Sequence, residues 1–278
     1  MVEEIKAWDI DVRDTMIRIA RECAEADGQA PLDEAARMRM RNNGLTGSRL
    51  WLEGKVGFAL RHQAALDLAV VPEHRGQGIG GALAEASLDG VTSAWSHGDH
   101  PAAARLAERH GFTRAREMWV MRRPVTDLPE PIAGVEIRSW TPDDRDELLR
   151  VNAEAFRTHP EQGDMDEQNL ADRMAEPWFD PRGLLIVAEG DRILGFHWTK
   201  RHTGEVGEVY VVATDPTAQG RGLGRALTVA GLHHLRTVLD DDAQIILYVE
   251  SDNRRAVALY EGLGFTHAPE DTHVQYRR

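Results

Sequence analysis

The chain has 278 residues, 42% of them hydrophobic and 28% charged, an ordinary globular balance with room for one large or two modest domains. Its formal net charge of −13 argues against a nucleic-acid partner, because phosphate binding needs a basic footprint, and suits a small cationic substrate better. One cysteine excludes an internal disulfide framework and a thiolate zinc site, no apolar run approaches the ~18–20 residues of a membrane span, and the acidic start MVEEIKAWDIDVRD has no apolar signal core, so a cytoplasmic protein without a membrane partner is expected.

In chain order, residues 12–26 read as a helix in which Cys23 is a packed thiol. Residues 68–83, LAVVPEHRGQGIGGAL, set a glycine loop between a strand and a helix, and LAERHGFT follows at 106–113. Residues 122–136, RRPVTDLPEPIAGVE, hold three prolines, which favour extended backbone and punctuate structure. A fresh strand is expected over Val135 to Trp140. Thr141-Pro142-Asp143-Asp144 then reads as a capped start, with Pro at the first helical position, of a helix running to about Phe156. Leu184–Glu189 and Ile193–Lys200 are expected strands turning at Gly190-Asp191, and Glu208–Ala213 is a third, rich in Val and Tyr. A second glycine loop leads into a helix from about Gly222 to Leu239. Gln244–Val249 is an apolar strand, Asn253–Glu261 a short helix stopped by Gly262, and a last strand lies near Val274–Tyr276.

These elements repeat. Residues 212–227 read VATDPTAQGRGLGRAL; setting Pro216 on Pro72 brings Gln219 onto Arg75, and Gly220, Gly222 and Gly224 onto Gly76, Gly78 and Gly80, at an offset of 144. LYEGLGFT at 259–266 echoes LAERHGFT at an offset of 153. Two matched motifs in one order indicate a tandem duplication of an α/β domain, with a period far too long for a solenoid. The expected division is 1–123, a proline-rich linker over 124–134, and 135–278.

Glycines between a strand and a helix let the backbone turn tightly and approach a ligand, and the positive helix end favours phosphate or pyrophosphate. Arg221 and Arg225 add charge. A P-loop needs Gly-Lys-Ser/Thr, which neither copy has. The dinucleotide fingerprint G-x-G-x-x-G is met by Gly76, Gly78 and Gly81 but fails at Arg225, and it normally follows the first strand of its unit. A glycine turn without a ligand stays open on these grounds.

The pattern [Arg/Gln]-x-x-Gly-x-Gly after a strand ending in Asp-Pro or Val-Pro resembles the acyl-CoA loop of the GNAT N-acetyltransferase superfamily, and Asn253…Tyr260-Glu261-x-x-Gly264-Phe265 resembles its C-terminal motif. The stretches His159-Pro160-Glu161-Gln162-Gly163, Trp178-Phe179-Asp180-Pro181, Gly195-Phe196-His197-Trp198-Thr199-Lys200, Gly207-Glu208-Val209-Tyr210-Val211 and Leu247-Tyr248-Val249-Glu250-Ser251-Asp252-Asn253 are similar to the mycothiol synthase family. In the first half the likeness is carried by the glycine loop, Asp27-Gly28-Gln29-Ala30-Pro31 and Met121-Arg122-Arg123-Pro124 before the linker. The resemblance implies two tandem GNAT-like α/β domains, each a mixed, partly antiparallel sheet flanked by helices. It implies acetyl transfer from acetyl-CoA to the cysteinyl amine of a cysteine–glucosamine–inositol conjugate, by direct attack and without a metal.

Under that resemblance, the amides of Gln219, Gly220, Arg221, Gly222, Leu223, Gly224 and Arg225 hold the pyrophosphate. Backbone of Val212, Ala213 and Thr214 pairs with the pantetheine arm and offers an N–H to the thioester oxygen. Asn253, Arg254, Arg255, Ala256, Val257 and Ala258 touch the coenzyme at the start of the short helix. Glu208 is the expected general base, against a plain solvated strand carboxylate; strand alternation puts it on one face with Tyr210 and Val212. Tyr260 is the expected general acid, a phenol able to donate to a departing thiolate, against a merely half-buried aromatic. Glu34, Glu161, Lys200, Glu208 and Tyr248 are assigned to the acceptor by the resemblance, and because Glu34 is in the first copy a pocket between domains is expected.

The first copy retains Leu68, Ala69, Val70, Arg75, Gly76, Gln77, Gly78, Ile79 and Gly80 as coenzyme residues. Ala107 stands opposite Tyr260, His100 opposite Asn253, and Ala64-Ala65-Leu66 opposite Glu208-Val209-Tyr210, so this copy is expected to bind coenzyme without turnover or to be structural. His97, His100 and His233-His234 have no carboxylate or cysteine partners at ligand spacing, and no metal is expected. Asp240-Asp241-Asp242 reads as a solvated loop, and the seven tryptophans mostly as core. An internal pair removes the need to dimerise, so a monomer is expected. Two rivals are a GNAT enzyme for another amine (aminoglycoside, polyamine or peptide N-terminus) and a non-catalytic acyl-CoA-binding module.

Overall fold

The computed structural model describes residues 1–157, 160–163, 165–202 and 204–278, without the side chains of Pro160 and Glu161. Two compact units emerge. Unit 1 comprises 1–119, 250–252 and 268–278; unit 2 comprises 120–249 and 253–267.

In unit 1, strand β1 (Val2–Ile5) is followed by helices α1 (Ile10–Asp27) and α2 (Glu34–Asn43), then β2 (Ser48–Glu53), β3 (Gly57–His62) and β4 (Ala65–Val70). Helix α3 (Ile79–Ser87), β5 (Ser93–Ser96) and α4 (Pro101–Arg109) come next, and β6 (Thr113–Pro124) leads onward. Asp9 and Asp33 start α1 and α2 by accepting from Val12 N and Ala36 N, the work of an N-cap carboxylate. β1 to β4 pair antiparallel in sequence order, and β4 pairs with β5 in parallel. Alternation along these strands builds one core toward α1 and α2, with Phe58, Leu60, Ala69 and Cys23, and another toward α3 and α4, with Leu66, Leu83 and Phe112.

In unit 2, β7 (Arg138–Ser139), α5 (Arg145–Ala155), α6 (Pro160–Gly163) and α7 (Glu167–Met174) precede β8 (Leu184–Glu189), β9 (Arg192–Arg201) and β10 (Val206–Thr214). Then come α8 (Leu223–Val238), β11 (Gln244–Glu250), α9 (Arg254–Glu261) and β12 (Thr266–Arg277). The strand order is β11-β10-β9-β8-β7, with only β10–β11 parallel. One face packs Phe196, Trp198, Val211 and Ala213 with Leu148 and Val151 of α5; the other packs Leu185, Val187 and Leu194 with Leu223 and Leu227 of α8. Each unit is thus a mixed sheet flanked by helices.

Most elements fall where the hydrophobic pattern puts them, and three differ. The strand expected over 135–140 shrinks to two exposed residues pairing with β8 at the sheet edge. The turn Pro142–Asp144 is a 3₁₀ turn before α5; Asp144 accepts from Thr141 N at 2.8 Å and takes both arms of Arg138 at 2.6 and 2.7 Å. The last strand is 12 residues long, not the short one expected near 274–276, and residues 274–277 pair antiparallel with β5. Residues 268–278, which the repeat alignment assigns to the second copy, therefore complete the sheet of unit 1. Arg123, 5% exposed, donates to the carbonyls of Thr126 and Asp127 at 3.0 Å and to Leu263, which gives the Arg-Arg-Pro stretch a structural task.

Helix α8 lies close over β9 because Gly231 faces the buried His197, whose Nδ1–H donates to the Leu227 carbonyl at 2.8 Å. A Cβ at 231 would land on that imidazole ring. Gly231→Ala should therefore cost about 1–3 kcal/mol, the usual scale of core overpacking, read as a lower urea midpoint with an unchanged m-value.

Candidate active site

The parallel ladder of β10 on β11 has three pairs among the described residues: Val206 with Gln244, Gly207 with Ile245 and Glu208 with Ile246. Directly beyond it the register of β10 on β9 shifts between Val209 and Val211. This bulge re-aims the strand, as such insertions do, and Val211 to Thr214 continue on β9 alone. Asp215 N donates to Leu194 O, so by alternation Ala213 and Val211 turn their amides to β9. Val212 and Thr214 then offer theirs to the side β11 has left.

The bulge also corrects an expectation. Tyr210, Val211 and Ala213 all join the cluster around Trp198, so Val212 points to the opposite face from Glu208 and Tyr210 instead of sharing theirs. Counting back along the hairpin pairings, the residue of β4 that matches Glu208 is Ala65, since it pairs with His62 as Glu208 pairs with Lys200; Ala64 is one step out.

The strand end is held by Asp215, fully buried. It accepts from Arg192 at 2.9 Å, Arg150 at 3.0 Å, Thr217 N at 2.8 Å and Thr217 Oγ1 at 2.6 Å. Burial alone would raise this carboxyl, but the Thr217 and arginine hydrogen bonds outweigh it and hold it well below the usual range. Beyond it, Gly220 and Gly222 have φ of +83° and +78°, a region costly for residues with a Cβ, and nothing stands within 4 Å of where one would be. Gly222 caps α8 without a side chain, so the first amides of a 16-residue helix face this open loop, the arrangement that receives phosphate. The first copy repeats the geometry: Gly76 and Gly78 at +74° and +84°, and the same bonds, Ala82 N to Gly78 O and Ala226 N to Gly222 O, open the helices. The second motif also recurs, as Phe112 N to Ala107 O and Phe265 N to Tyr260 O.

Glu208 is 5% exposed, and its Oε2 lies 2.6 Å from Nε2 of His202. Lys200, its cross-strand partner, is also 5% exposed and sets Nζ 4.6 Å from the Trp178 ring centre and 4.8 Å from that of Tyr210. Tyr248 stands two residues beyond Ile246, hence on the face of Glu208, and is 42% exposed. These three predicted residues come together on one face of unit 2. Tyr260, half-buried on α9, meets Phe265 edge-on at 5.9 Å, and burial raises its phenol to about 12. Asn253 caps α9 by accepting from Ala256 N at 3.1 Å, and Arg255 donates to Gln219 at 3.4 Å. Glu34 opens α2 in unit 1. His159 and the side chain of Glu161 lie outside the described residues.

Sequence reasoning missed His202 and gave Asp215 and Trp178 no role. His202 sits two residues past Lys200 on the same hairpin, diagonal to Glu208, so the strand period carried the signal.

Residues 146–265 match the acetyltransferase (GNAT) family and residues 46–114 the acetyltransferase (GNAT) domain. A mycothiol acetyltransferase of Nocardioides sp. is 53% identical over 96% of this chain and 98% of its own length, and one of Thermobispora bispora is 44% identical over 97% and 99%. The chain belongs to the mycothiol acetyltransferases of the GNAT family. As a member it is an acetyl-CoA-dependent N-acetyltransferase. A GCN5-related N-acetyltransferase from Sphaerobacter thermophilus superposes with TM-score 0.72 at 23% identity, over 99% of this chain and 95% of that one. A tandem GNAT protein from the clavulanic acid biosynthesis pathway gives 0.70 at 17%, over 100% and 98%. At such identities these two speak for the fold alone. Among the described residues of this mycothiol acetyltransferase relative, no helix is long and apolar enough to cross a membrane.

Asp215→Ala should lower stability by about 3 kcal/mol at neutral pH, the low end for a buried pair because both arginines stay partly wet. The folded-state carboxyl being depressed, this contribution is complete above about pH 5 and fades as pH falls below about 4. Urea midpoints of wild type and variant should therefore converge in acid.

Proposed function

We propose that this enzyme acetylates the cysteinyl amine of a cysteine–glucosamine–inositol conjugate, in the C-terminal copy, with Glu208 as general base and Tyr260 as general acid. The observation that carries the reading is the buried Glu208 at the root of the opening between β10 and β11, in register with Lys200 and beside an uncapped glycine loop. The acceptor comes from the relatives' name, mycothiol acetyltransferase.

In this reading the loop amides of Gln219 to Arg225 and the residues Asn253 to Ala258 bind acetyl-CoA, with the backbone of Val212 and Thr214 along its arm. The open space at Gly220 and Gly222 fits a pyrophosphate lying against the backbone. Glu208 takes the proton of the acceptor ammonium, and the amine nitrogen attacks the thioester carbon. The C–S bond breaks as Tyr260 gives its proton to the leaving sulfur, the second proton of the attacking nitrogen returns to the Tyr260 phenolate, and Glu208 releases its proton to solvent as the amide and the thiol leave. Lys200, Tyr248 and Glu161 bind the polar acceptor. The N-terminal copy holds a second coenzyme without turnover: Leu68, Ala69, Val70, Arg75, Gly76, Gly78, Ile79 and Gly80 line a cavity of about 510 Å³, with Gln77 in the same loop, while alanines stand at 65 and 107. One chain is the working unit.

The test is CoA release with acetyl-CoA and the cysteinyl glucosaminyl-inositol amine. Glu208→Gln and Tyr260→Phe should each lower kcat by about 100-fold or more. Turnover of a different amine but not this one would remove the acceptor assignment. Because Tyr260 stays protonated to about 12, the wild-type rate should show no alkaline loss from this acid up to about pH 10. A Tyr260-dependent fall near neutrality would remove the acid role.

A further inference from the structure

We propose that His202 is the positioning residue of the base: its ring holds one oxygen of Glu208 so that the other is presented to the acceptor amine. The inference rests on the reading of Glu208 as general base.

A carboxylate 5% exposed needs hydrogen-bond partners, because burying it unpaired is costly. At Oε2 that partner is Nε2 of His202, 2.6 Å away, a charge-assisted distance. Glu208 alone leaves two carboxylate rotations open. A donor fixed at one oxygen removes that freedom and leaves Oε1 as the accepting atom, which is how a general base is preorganised. The donor is itself fixed from the backbone. His202 N donates to Val206 O at 2.9 Å, closing the hairpin whose register sets Lys200 opposite Glu208. One turn of chain therefore places both groups that flank the carboxylate.

The two neighbours divide the task. Lys200 lies across the strand pair, with Nζ over Trp178 and Tyr210, and Arg173 of α7 covers Tyr210 at 5.5 Å. Those cations belong to the walled side of the face. The His202 side chain is 32% exposed against 6% for Glu208, so it stands at the solvent edge, where exchanging it disturbs little packing. The first copy offers the contrast: Ala65 stands where unit 2 has Glu208, and its cross-strand partner His62, in the place of Lys200, hydrogen-bonds Ser48 at 3.1 Å, with no carboxylate to orient.

The experiment compares His202→Ala and His202→Gln with wild type, using acetyl-CoA and the cysteinyl glucosaminyl-inositol amine. The alanine variant should lose about 10- to 100-fold in kcat, with KM for acetyl-CoA and Tm unchanged. Glutamine, whose amide N–H reaches from nearly the place of Nε2, should recover most of the rate. Wild-type kcat in the alanine variant would overturn the proposal. Equal impairment of both variants with a raised KM for acetyl-CoA and a lower Tm would also overturn it, as a structural role. Glu208→Gln run alongside separates the two readings: full activity there removes the base itself, whereas its loss beside a normal His202→Ala removes only the positioning role.

Discussion

Strand β10 carries one residue more than its partner β9 needs, between Val209 and Val211, and the geometry of the site follows from it. Up to Glu208 the strand is tied on both sides, antiparallel to β9 and parallel to β11. Past the bulge, among the described residues, it pairs with β9 alone, so the amides of Val212 and Thr214 on the other side have no strand partner. Backbone polar groups in such a place need partners, and an extended amide-bearing chain supplies them as a strand would. The same extra residue turns Val211 and Ala213 into the core while leaving Glu208 and Tyr210 on the α5 side. The opening, the facing of the buried carboxylate and the core thus depend on one local insertion.

The duplicated copies share backbone and differ in what anchors it. Both loops place two glycines at positive φ and start a helix without a side-chain cap. In unit 2 the anchor is a buried carboxylate, Asp215, holding Arg150 and Arg192. In unit 1 the matching residue is Val71, and the polarity is reversed. Arg75, standing where unit 2 has Gln219, donates to Val70 O at 2.9 Å and takes Asp27 with both arms at 2.7 Å. Either arrangement pins the strand end to a preceding helix or hairpin, so the turn survives a complete exchange of charges. The ladder of β4 on β3 has no bulge, running from His62–Ala65 to Gly57–Val70 without a shift.

Much of this was legible because it rests on short-range signals. Period-two strands, capped helices and the Gly-x-Gly loop are local, and the repeat at 144 and 153 residues exposed the duplication. The bulge was not legible: Val209-Tyr210-Val211 reads as uninterrupted strand, and only the pairing with β9 shows which residue is extra. That is why straight alternation misplaced Val212 and matched Glu208 to Ala64 instead of Ala65. The fate of residues 268–278 was hidden for the same reason, since strand partners are chosen by long-range pairing that a repeat alignment does not contain. His202 escaped because its meaning is diagonal, across a hairpin, and a lone histidine at a strand end carries no motif.

These misses have one physical origin, and it separates two kinds of constraint. A glycine loop is selected by backbone sterics at the residue itself, so its sequence signature persists wherever the loop does. The environment of a buried carboxylate is selected by neighbours that arrive from other strands, and the same loop tolerates Glu208 in one copy and Ala65 in the other. The loop geometry can therefore be the same in both halves while a buried carboxylate stands in only one of them. A buried carboxylate demands a donor, but an alanine in its place demands nothing, which makes loss of the carboxylate the easy direction of divergence. Restoring it would require the carboxylate, its partner at the solvent edge and the bulge that aims the strand, acquired together.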